Sequence, residues 1–135
     1  MRIVLDTNSL IQSFSERSPY FAVWMSILKG ENILCVSNEI MEEYAEILQR
    51  LAGKSTADYV MDAITKSKYV EFVTPYYHFG LIHADPDDNK FVDCAIAASA
   101  RYVVTNDKHY EVLRHTKFPI VDIIALKDFL KLLQQ

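Results

Sequence analysis

Short apolar segments alternate with longer amphipathic segments along this chain of 135 residues. A short apolar run between polar or turn residues is typical of a buried strand, whereas apolar residues that recur every three or four positions indicate a helix. The first pattern predicts strands over residues 3–5, 33–36, 70–73, 103–105 and 120–124. The second predicts helices over residues 20–28, 38–51, 85–100 and 126–133, another that includes residues 59–64, and a short helix at residues 112–113.

Strands that alternate with crossover helices predict a parallel sheet with helices on both faces. We therefore expect an α/β fold of three layers, α/β/α, around a parallel sheet of about five strands. The chain has 50% hydrophobic residues, only 3 Gly and 4 Pro, and no repetitive stretch that would mark a linker. A single domain over residues 1–135 is the expectation.

Composition narrows the class of protein. No apolar run approaches the ~20 residues of a membrane span, and the chain begins in a predicted strand, so we expect a cytoplasmic protein. Cys35 and Cys94 lack the spacing of a zinc site and are predicted to be buried free thiols. The formal net charge of -4 argues against strong nonspecific attraction to nucleic acid, although a bound cation would change the field at a local site.

Acidic residues follow two of the predicted strands. Asp6 comes directly after residues 3–5, and Asp107 comes after residues 103–105. In an open parallel sheet the ligand crevice lies outside the carboxyl ends of the strands. These two acids are therefore expected to lie at one site, although Asp107 and its neighbour Asn106 also suit a turn or a helix cap.

A third acid lies within the apolar face of the helix predicted at residues 38–51. Glu43 falls inside the apolar stripe, whereas Glu42 and Glu46 lie on a different face and are expected to be solvated. Acids are rarely buried without a partner, so Glu43 is a candidate site residue; the alternative is an acid at the border of the stripe that reaches water. The stripe consists of Ile40, Tyr44, Ile47, Leu48 and Leu51.

The helix predicted at residues 85–100 begins with an acidic segment. Capping and the helix dipole explain Asp85 and Asp87, whereas Asp88 also heads the inward face of the helix. Asp93 lies on the flank of the same helix and is a weaker candidate. The small polar residues near the strand-end acids, which are candidates to orient a carboxylate or hold a metal-bound water, are Asn8, Thr105 and Asn106.

Asp6, Glu43, Asp88 and Asp107 would together form a set of hard oxygen ligands, which select Mg²⁺ or Mn²⁺ over softer metals. Carboxylates within ~4–6 Å repel one another and raise one another's pKa, so such a cluster becomes favourable only when a divalent cation is present. An ion held there would activate water and polarise a phosphate for hydrolysis.

Four segments carry a resemblance to a known family: IVLDTN at residues 3–8, Ser37 with Glu43, DPDDNKF at residues 85–91, and VVTND at residues 103–107. The chain resembles the PIN-domain nucleases over essentially its whole length, and most of all the toxin components of bacterial and archaeal toxin–antitoxin pairs. The resemblance implies a parallel five-stranded sheet. It also implies a metal-dependent ribonuclease in which Asp6, Glu43, Asp88 and Asp107 coordinate Mg²⁺ or Mn²⁺. Asp93 is a second match for the third family acid, but the spacing to Asp107 favours Asp88.

The resemblance also implies partners. These are an RNA substrate, a second copy of the chain in a homodimer, and a cognate antitoxin peptide that brings an Arg or Lys to the acidic crevice. The exposed aromatic candidates for an apolar dimer interface, separate from the crevice, are Phe21, Trp24, Tyr76, Tyr77 and Phe79. The run at residues 76–79 also suits stacking on unpaired bases.

A catalytically inactive RNA- or protein-binding module of the same fold is the alternative function. Loss of one of the four acids would favour that module, and all four are present. A phosphatase of the haloacid dehalogenase type is disfavoured, because it needs a second Asp two residues after the first, where this chain has Asn8.

Overall fold

A parallel sheet of five strands runs through the computed structural model, which describes residues 1–135. The strands are β1 (Arg2–Leu5), β2 (Ile33–Val36), β3 (Glu71–Phe72), β4 (Tyr102–Val104) and β5 (Ile123–Ile124). Their order in the sheet is β3-β2-β1-β4-β5, so β1 is the central strand. Ile3 of β1 pairs with Leu34 of β2 on one side and with Tyr102 of β4 on the other.

Helices connect the strands. The α-helices are α1 (Thr7–Ser13), α2 (Phe21–Leu28), α3 (Asn38–Ala52), α4 (Lys54–Lys66), α5 (Asn89–Ala98) and α6 (Leu126–Leu133). A 3₁₀-helix at Pro86–Asp88 leads directly into α5, and a second one at Lys108–His115 lies between β4 and β5. The prediction of an α/β fold built on a parallel five-stranded sheet is therefore confirmed.

The inner strands consist of buried apolar residues. Ile3, Val4 and Leu5 of β1 and Val103 and Val104 of β4 have no exposed surface. Strands with helices on both faces need this near-continuous hydrophobic character rather than an alternation of apolar and polar residues. These strands share one core of 30 buried residues, to which all six α-helices contribute.

The long helix α3 has clear start and stop signals. The Ser37 side chain accepts a hydrogen bond from the backbone N–H of Ile40 and caps the first turn. Gly53 separates α3 from α4. Its φ of 90° is a backbone conformation that residues with a Cβ rarely adopt. The helix predicted over residues 38–51 is therefore confirmed and extends by one residue, to Ala52.

The apolar pattern does not predict α1. Leu10 is the one apolar residue among the buried residues of this short helix, and the others are polar. The Ser9 hydroxyl donates to the carbonyl oxygen of Val104 at 3.0 Å, and the Ser13 hydroxyl donates to the carbonyl oxygen of Ser9 at 2.6 Å. Because these hydrogen bonds satisfy the buried serines, the helix packs without a periodic apolar signal.

Three predicted elements are longer than the observed ones. The predicted strands 70–73 and 120–124 shorten to the two-residue strands β3 and β5, which lie at the edges of the sheet and pair on one side only. The predicted helix 85–100 divides into the 3₁₀-helix Pro86–Asp88 and α5. It ends early because Ser99 adopts a left-handed conformation, with a φ of 52°.

Two predictions of side-chain exposure are wrong. Trp24 is 2% exposed and belongs to the core, because α2 packs against both α1 and α6. Leu51 is 61% exposed, since the last turn of α3 extends past the part of the apolar stripe that the core covers. Phe21 is only partly buried. Cys35 and Cys94 are buried and free, as predicted.

One buried hydrogen bond joins α3 to the central strand. The Tyr44 hydroxyl donates to the carbonyl oxygen of Leu5 at 2.6 Å, and Tyr44 is fully buried. Tyr44 follows Glu43 in the chain, and Leu5 precedes Asp6. The bond therefore holds α3, which carries Glu43, against β1, which Asp6 follows.

None of the helices has the length and apolar character needed to cross a lipid bilayer.

Candidate active site

The carboxyl ends of β1 and β4 place two acids side by side. Asp6 directly follows β1, and Asp107 follows the neighbouring strand β4 after a short turn. Asp6 is 6% exposed, whereas Asp107 is partly buried. The topology thus brings together residues that are far apart in the sequence, as the strand-end pattern predicts.

Asp6 is a desolvated carboxylate that the protein holds in a fixed orientation. The Thr105 hydroxyl donates to Asp6 Oδ2 at 2.7 Å, and Thr105 is itself buried. Burial raises the pKa of Asp6, the hydrogen bond from Thr105 opposes that rise, and the charges of Asp107 and Glu43 add to it. The pKa of Asp6 therefore depends on two other acids of the predicted set, Asp107 and Glu43.

Glu43 points from α3 towards the same edge of the sheet. Its carboxylate accepts a hydrogen bond from the Thr7 hydroxyl and another from Lys90 Nζ, the latter at 2.7 Å. Its side chain is 25% exposed, whereas Glu42 and Glu46 are exposed residues. The apolar stripe of α3 predicts that Glu43 faces the core while Glu42 and Glu46 face solvent, and the observed exposures agree with this prediction.

Asp88 lies at the junction between the 3₁₀-helix Pro86–Asp88 and α5, with 9% of its surface exposed. Its buried Oδ2 atom has no hydrogen-bond partner. Burial raises the pKa of Asp88 to about 7, and the charges of Asp85, Asp6, Asp107 and Glu43 contribute to the rise. A buried carboxylate oxygen without a donor, among like charges, is an arrangement that a bound cation would satisfy.

Asp107 has two roles in the structure. Its Oδ1 atom accepts a hydrogen bond from the backbone N–H of His109 at 2.8 Å and caps the 3₁₀-helix Lys108–His115. Its own backbone N–H donates to the Thr105 hydroxyl at 3.0 Å. The capping role therefore holds for Asp107, and the same contacts fix its position beside Asp6.

Asp93 lies in a different setting. It is 4% exposed, and it accepts a hydrogen bond from the backbone N–H of Phe79 at 3.1 Å and contacts His78 Nδ1 at 3.3 Å. Both carboxylate oxygens thus hold the irregular segment 73–85 against α5. The charges of Asp6, Glu43 and Asp107 act on Asp88, whereas Asp93 contacts the segment that precedes α5.

Two of the predicted small polar residues do not contact a carboxylate. Asn106 Oδ1 accepts a hydrogen bond from the backbone N–H of Leu126 at 3.0 Å, so its side chain is directed to the start of α6. Asn8 is exposed and makes no side-chain hydrogen bond within the chain. Thr105 is the member of this group that orients an acid, and Thr7, which was not singled out, does so for Glu43.

Sequence reasoning assigns no role to Lys90 or His109, yet both lie among the acids. Burial lowers the pKa of Lys90, but the hydrogen bond to Glu43 and the charges of Glu43, Asp87 and Glu39 together outweigh this effect. The pKa is therefore raised, and the ammonium stays charged. His109 Nδ1 lies 3.4 Å from Asp107 Oδ1 and 4.0 Å from Asp88 Oδ2. Periodicity does not reveal Lys90, whereas the two-residue spacing from the capping acid Asp107 is a local signal for His109.

The ligand atoms of Asp85, Asp88 and His109 all lie within 4.8 Å of one another. No other three His, Cys, Asp or Glu side chains come this close together. The compact part of the acidic edge is therefore centred on Asp88. Asp6, Glu43 and Asp107 surround it closely enough for their charges to act on the Asp88 carboxyl.

A polar groove of about 230 Å³ adjoins the acidic cluster at Asp87, which precedes Asp88, and at Lys90, which is paired with Glu43. The segment 73–85 forms one wall of the groove, and Asn89 fastens this segment through two hydrogen bonds to the backbone of Ile82, at 2.8 and 2.9 Å. Tyr76 and Tyr77 on the same segment are 86% and 75% exposed. The groove residues that carry charged or hydrogen-bonding side chains include Ser37, Glu39, His78, Asp87, Asn89 and Lys90.

The fold and this site define an α/β protein with an acidic, cation-attracting cluster at the carboxyl edge of a parallel sheet. The model of the PIN domain family matches residues 2–109, and the chain belongs to that family. The resemblance predicted from the four sequence segments is therefore confirmed. Among curated proteins, none matches the chain in sequence.

Solved structures with the same fold include toxin–antitoxin proteins. VapBC2 from Rickettsia felis, bound to a DNA fragment from its promoter, aligns with a TM-score of 0.65 at 16% sequence identity, over 93% of this chain and 98% of that one. VapBC-1 from nontypeable Haemophilus influenzae aligns with a TM-score of 0.64 at 16% identity, over 94% and 99% of the two chains. The PIN domain endonuclease Utp24 aligns with a TM-score of 0.53 at 21% identity, over 92% and 84%. At these identities the likeness concerns the fold.

The unpartnered Asp88 carboxyl predicts an unusual dependence of stability on pH. The pKa of Asp88 is about 7 in the folded chain against 3.8 for the free group, so the folded state binds more protons between these values. The free energy of unfolding should then decrease as the pH rises from 4 to 7 in the absence of divalent cations. Because one pKa unit corresponds to about 1.4 kcal/mol, the Asp88→Asn variant should be more stable than the wild type at pH 8, by at most about 4 kcal/mol.

Urea unfolding of both proteins in EDTA at pH 4 and pH 8 measures this effect. The gain of the variant should be present at pH 8 and absent at pH 4. The matched control is Asp87→Asn, which removes an exposed acid from the adjacent position and should give no such gain. An Asp88→Asn variant that is less stable than the wild type at pH 8 would contradict the prediction.

Proposed function

We propose that the chain is a divalent-metal-dependent endoribonuclease and the toxin of a toxin–antitoxin pair. The observation that carries the proposal is the buried Asp88 Oδ2 atom, which has no hydrogen-bond partner and is surrounded by the charges of Asp6, Glu43 and Asp107. Membership of the PIN domain family supports a hydrolytic nuclease. The fold shared with the VapBC structures supports the toxin role.

The side chains at this edge fit a divalent cation. Asp6, Glu43, Asp88 and Asp107 would hold it, because carboxylate oxygens are the ligands that Mg²⁺ and Mn²⁺ prefer. A bound ion would supply Lewis-acid chemistry towards a phosphodiester at neutral pH. The carboxylates would lose their mutual repulsion at the same time.

The chain's own residues keep the acids in place for this role. Thr105 fixes Asp6 through a hydrogen bond, and Thr7 together with Lys90 fixes Glu43. Carboxylates with fixed orientations need little reorganisation when charge develops on the phosphate. These hydrogen bonds therefore contribute preorganisation as well as local stability.

The groove beside the acids suits a single-stranded RNA. Lys90 lines the groove and carries the positive charge that a phosphate group would attract. The exposed rings of Tyr76 and Tyr77 offer faces on which unpaired bases stack, an interaction worth about 1–3 kcal/mol for each base. Binding through a few local contacts agrees with a chain whose formal net charge is -4.

A cognate antitoxin would act on the same charges. A basic peptide that brings an Arg or Lys to the acidic edge would compete with the metal. It would form an ion pair with a carboxylate there, as Lys90 does with Glu43.

We also propose a homodimer. Of the aromatic residues predicted for its interface, Trp24 is excluded by burial, and Tyr76, Tyr77 and Phe79 keep exposed surface.

The nuclease proposal predicts metal-dependent cleavage of single-stranded RNA. The chain treated with EDTA should be inactive, and millimolar Mg²⁺ or Mn²⁺ should restore cleavage of a fluorescent RNA. Asp6→Asn and Asp107→Asn keep side-chain size, and each should lower the rate at least about a hundredfold because a metal ligand is lost. A DNA strand of the same sequence should stay intact.

The matched controls are Glu42→Gln and Glu46→Gln, which change exposed acids on the other face of α3 and should leave the rate unchanged. Circular dichroism establishes that each variant is folded. RNA binding without cleavage in any metal would favour the inactive binding module instead. Equal cleavage of DNA and RNA would contradict the assignment as a ribonuclease.

The toxin proposal predicts that the product of an adjacent antitoxin gene blocks this cleavage. The two proteins should copurify, and the complex should release little product from the same RNA. Light scattering on the chain alone at tens of micromolar should give the mass of a dimer. Undiminished cleavage by the copurified complex would contradict the role of the partner, and a monomeric mass would contradict the homodimer.

A further inference from the structure

We propose that Asp85, Asp88 and His109 form a cation site in which the imidazole nitrogen of His109 is a direct ligand, so that the site favours Mn²⁺ over Mg²⁺. The inference rests on the proposed function in one respect, namely that a divalent cation binds at this acidic edge. It goes further in naming a nitrogen ligand and in adding Asp85, which the set of four acids does not contain.

The distances between the three side chains fit one ion. His109 Nδ1 lies 4.0 Å from Asp88 Oδ2, and the ligand atoms of all three residues lie within 4.8 Å of one another. Ligands about 2.1 Å from an octahedral ion are about 3.0 Å apart when adjacent and about 4.2 Å apart when opposite. The pair formed by His109 and Asp88, at 4.0 Å, is already within this range.

The unpartnered Asp88 Oδ2 atom independently indicates a ligand. Asp88 is 9% exposed, and this buried oxygen accepts no hydrogen bond from the chain. The separation of 4.0 Å from His109 Nδ1 is too long for a hydrogen bond but leaves room for an ion between the two atoms. The buried oxygen thus lies near His109 Nδ1, which offers a lone pair to a metal ion in the tautomer protonated at Nε2.

No cationic side chain neutralises these acids. Lys90 Nζ lies on Glu43 at 2.7 Å, and no Lys or Arg forms an ion pair with Asp85 or Asp88. Asp85 Oδ1 caps the 3₁₀-helix Pro86–Asp88 by accepting a hydrogen bond from the backbone N–H of Asp87 at 3.2 Å. Asp85 Oδ2 takes no part in this cap, so it is available to bind a cation.

His109 is both positioned and accessible. Its backbone N–H donates to Asp107 Oδ1, which fixes the main chain of His109 at the start of the 3₁₀-helix Lys108–His115. Its side chain is 40% exposed, so a hydrated ion reaches the ring from solvent. Asp107 Oδ1 lies 3.4 Å from Nδ1 and adds negative charge beside the ring.

The nitrogen ligand determines the choice of metal. Mg²⁺ takes oxygen ligands and keeps several waters, whereas imidazole is a good ligand for transition metals. Mn²⁺ accepts carboxylate oxygens as readily as Mg²⁺ does and lies at the start of the transition-metal affinity series. A site with two carboxylates and one imidazole therefore favours Mn²⁺, and replacement of His109 should reduce that preference.

Pulsed electron paramagnetic resonance of bound Mn²⁺ tests the nitrogen ligand directly, because a coordinated imidazole nitrogen modulates the electron spin echo. The full chain is stripped with EDTA, exchanged into chelator-free buffer and loaded with one equivalent of Mn²⁺. The wild type should give the nitrogen modulation, and His109→Gln should lose it. The matched control is His115→Gln, which changes an exposed His at the far end of the same 3₁₀-helix and should keep the modulation.

Calorimetric titration of the same proteins gives a second readout. His109→Gln should weaken Mn²⁺ binding at least about tenfold and Mg²⁺ binding much less, so the ratio of the two affinities falls. Asp85→Asn should weaken the binding of both ions. Circular dichroism establishes that the variants are folded.

The outcomes separate this inference from the proposed function. Bound Mn²⁺ without nitrogen modulation in the wild type, or with modulation that persists in His109→Gln, overturns the His109 ligand and leaves the ribonuclease proposal intact. Absence of Mn²⁺ and Mg²⁺ binding overturns both. Metal-dependent cleavage of RNA together with an unchanged affinity ratio in His109→Gln overturns the inference alone.

Discussion

The repulsion between carboxylates at the carboxyl edge of a parallel sheet is the constraint on which the site depends. The topology forces Asp6 and Asp107 together, because β1 and β4 are neighbours, and the packing of α3 and α5 adds Glu43 and Asp88. Burial raises the pKa of Asp6 and of Asp88, and the charges of the other acids raise it further. Folding of the metal-free chain therefore works against this cluster, and the core must supply the compensating free energy.

Hydrogen bonds from the scaffold hold the acids in this unfavourable arrangement. Tyr44 anchors α3 to the end of β1, Thr105 holds the Asp6 carboxylate, and Thr7 holds Glu43. These hydrogen bonds support Asp6 and Glu43. Lys90 balances the charge of Glu43, whereas Asp88 keeps a buried oxygen without any partner. Asp88 is thus an acid at this edge whose negative charge no Lys or Arg of the chain neutralises.

Much of this arrangement was predictable from the sequence. The central strands are short, continuous apolar runs because both faces of the sheet are covered, and the phase of Glu43 in α3 follows from helical periodicity. The helix α1 was not predictable from that periodicity, because buried serines rather than apolar residues form its inner face. Lys90 was missed since its role depends on a distance between two helices, which no local pattern encodes. His109 was missed although it follows the capping acid Asp107 by two residues. The burial of Trp24 was not predicted either, because α2 packs against α1 and against α6, which comes from the other end of the chain.

An anomalous difference map from crystals of the full chain grown with Mn²⁺ tests the central claim most directly. The account predicts a strong peak within coordination distance of Asp88 Oδ2, at the carboxyl edge of the sheet. A peak found only at other acidic residues, or a map without a peak at Asp88 under conditions where Mn²⁺ saturates the protein in solution, would contradict it.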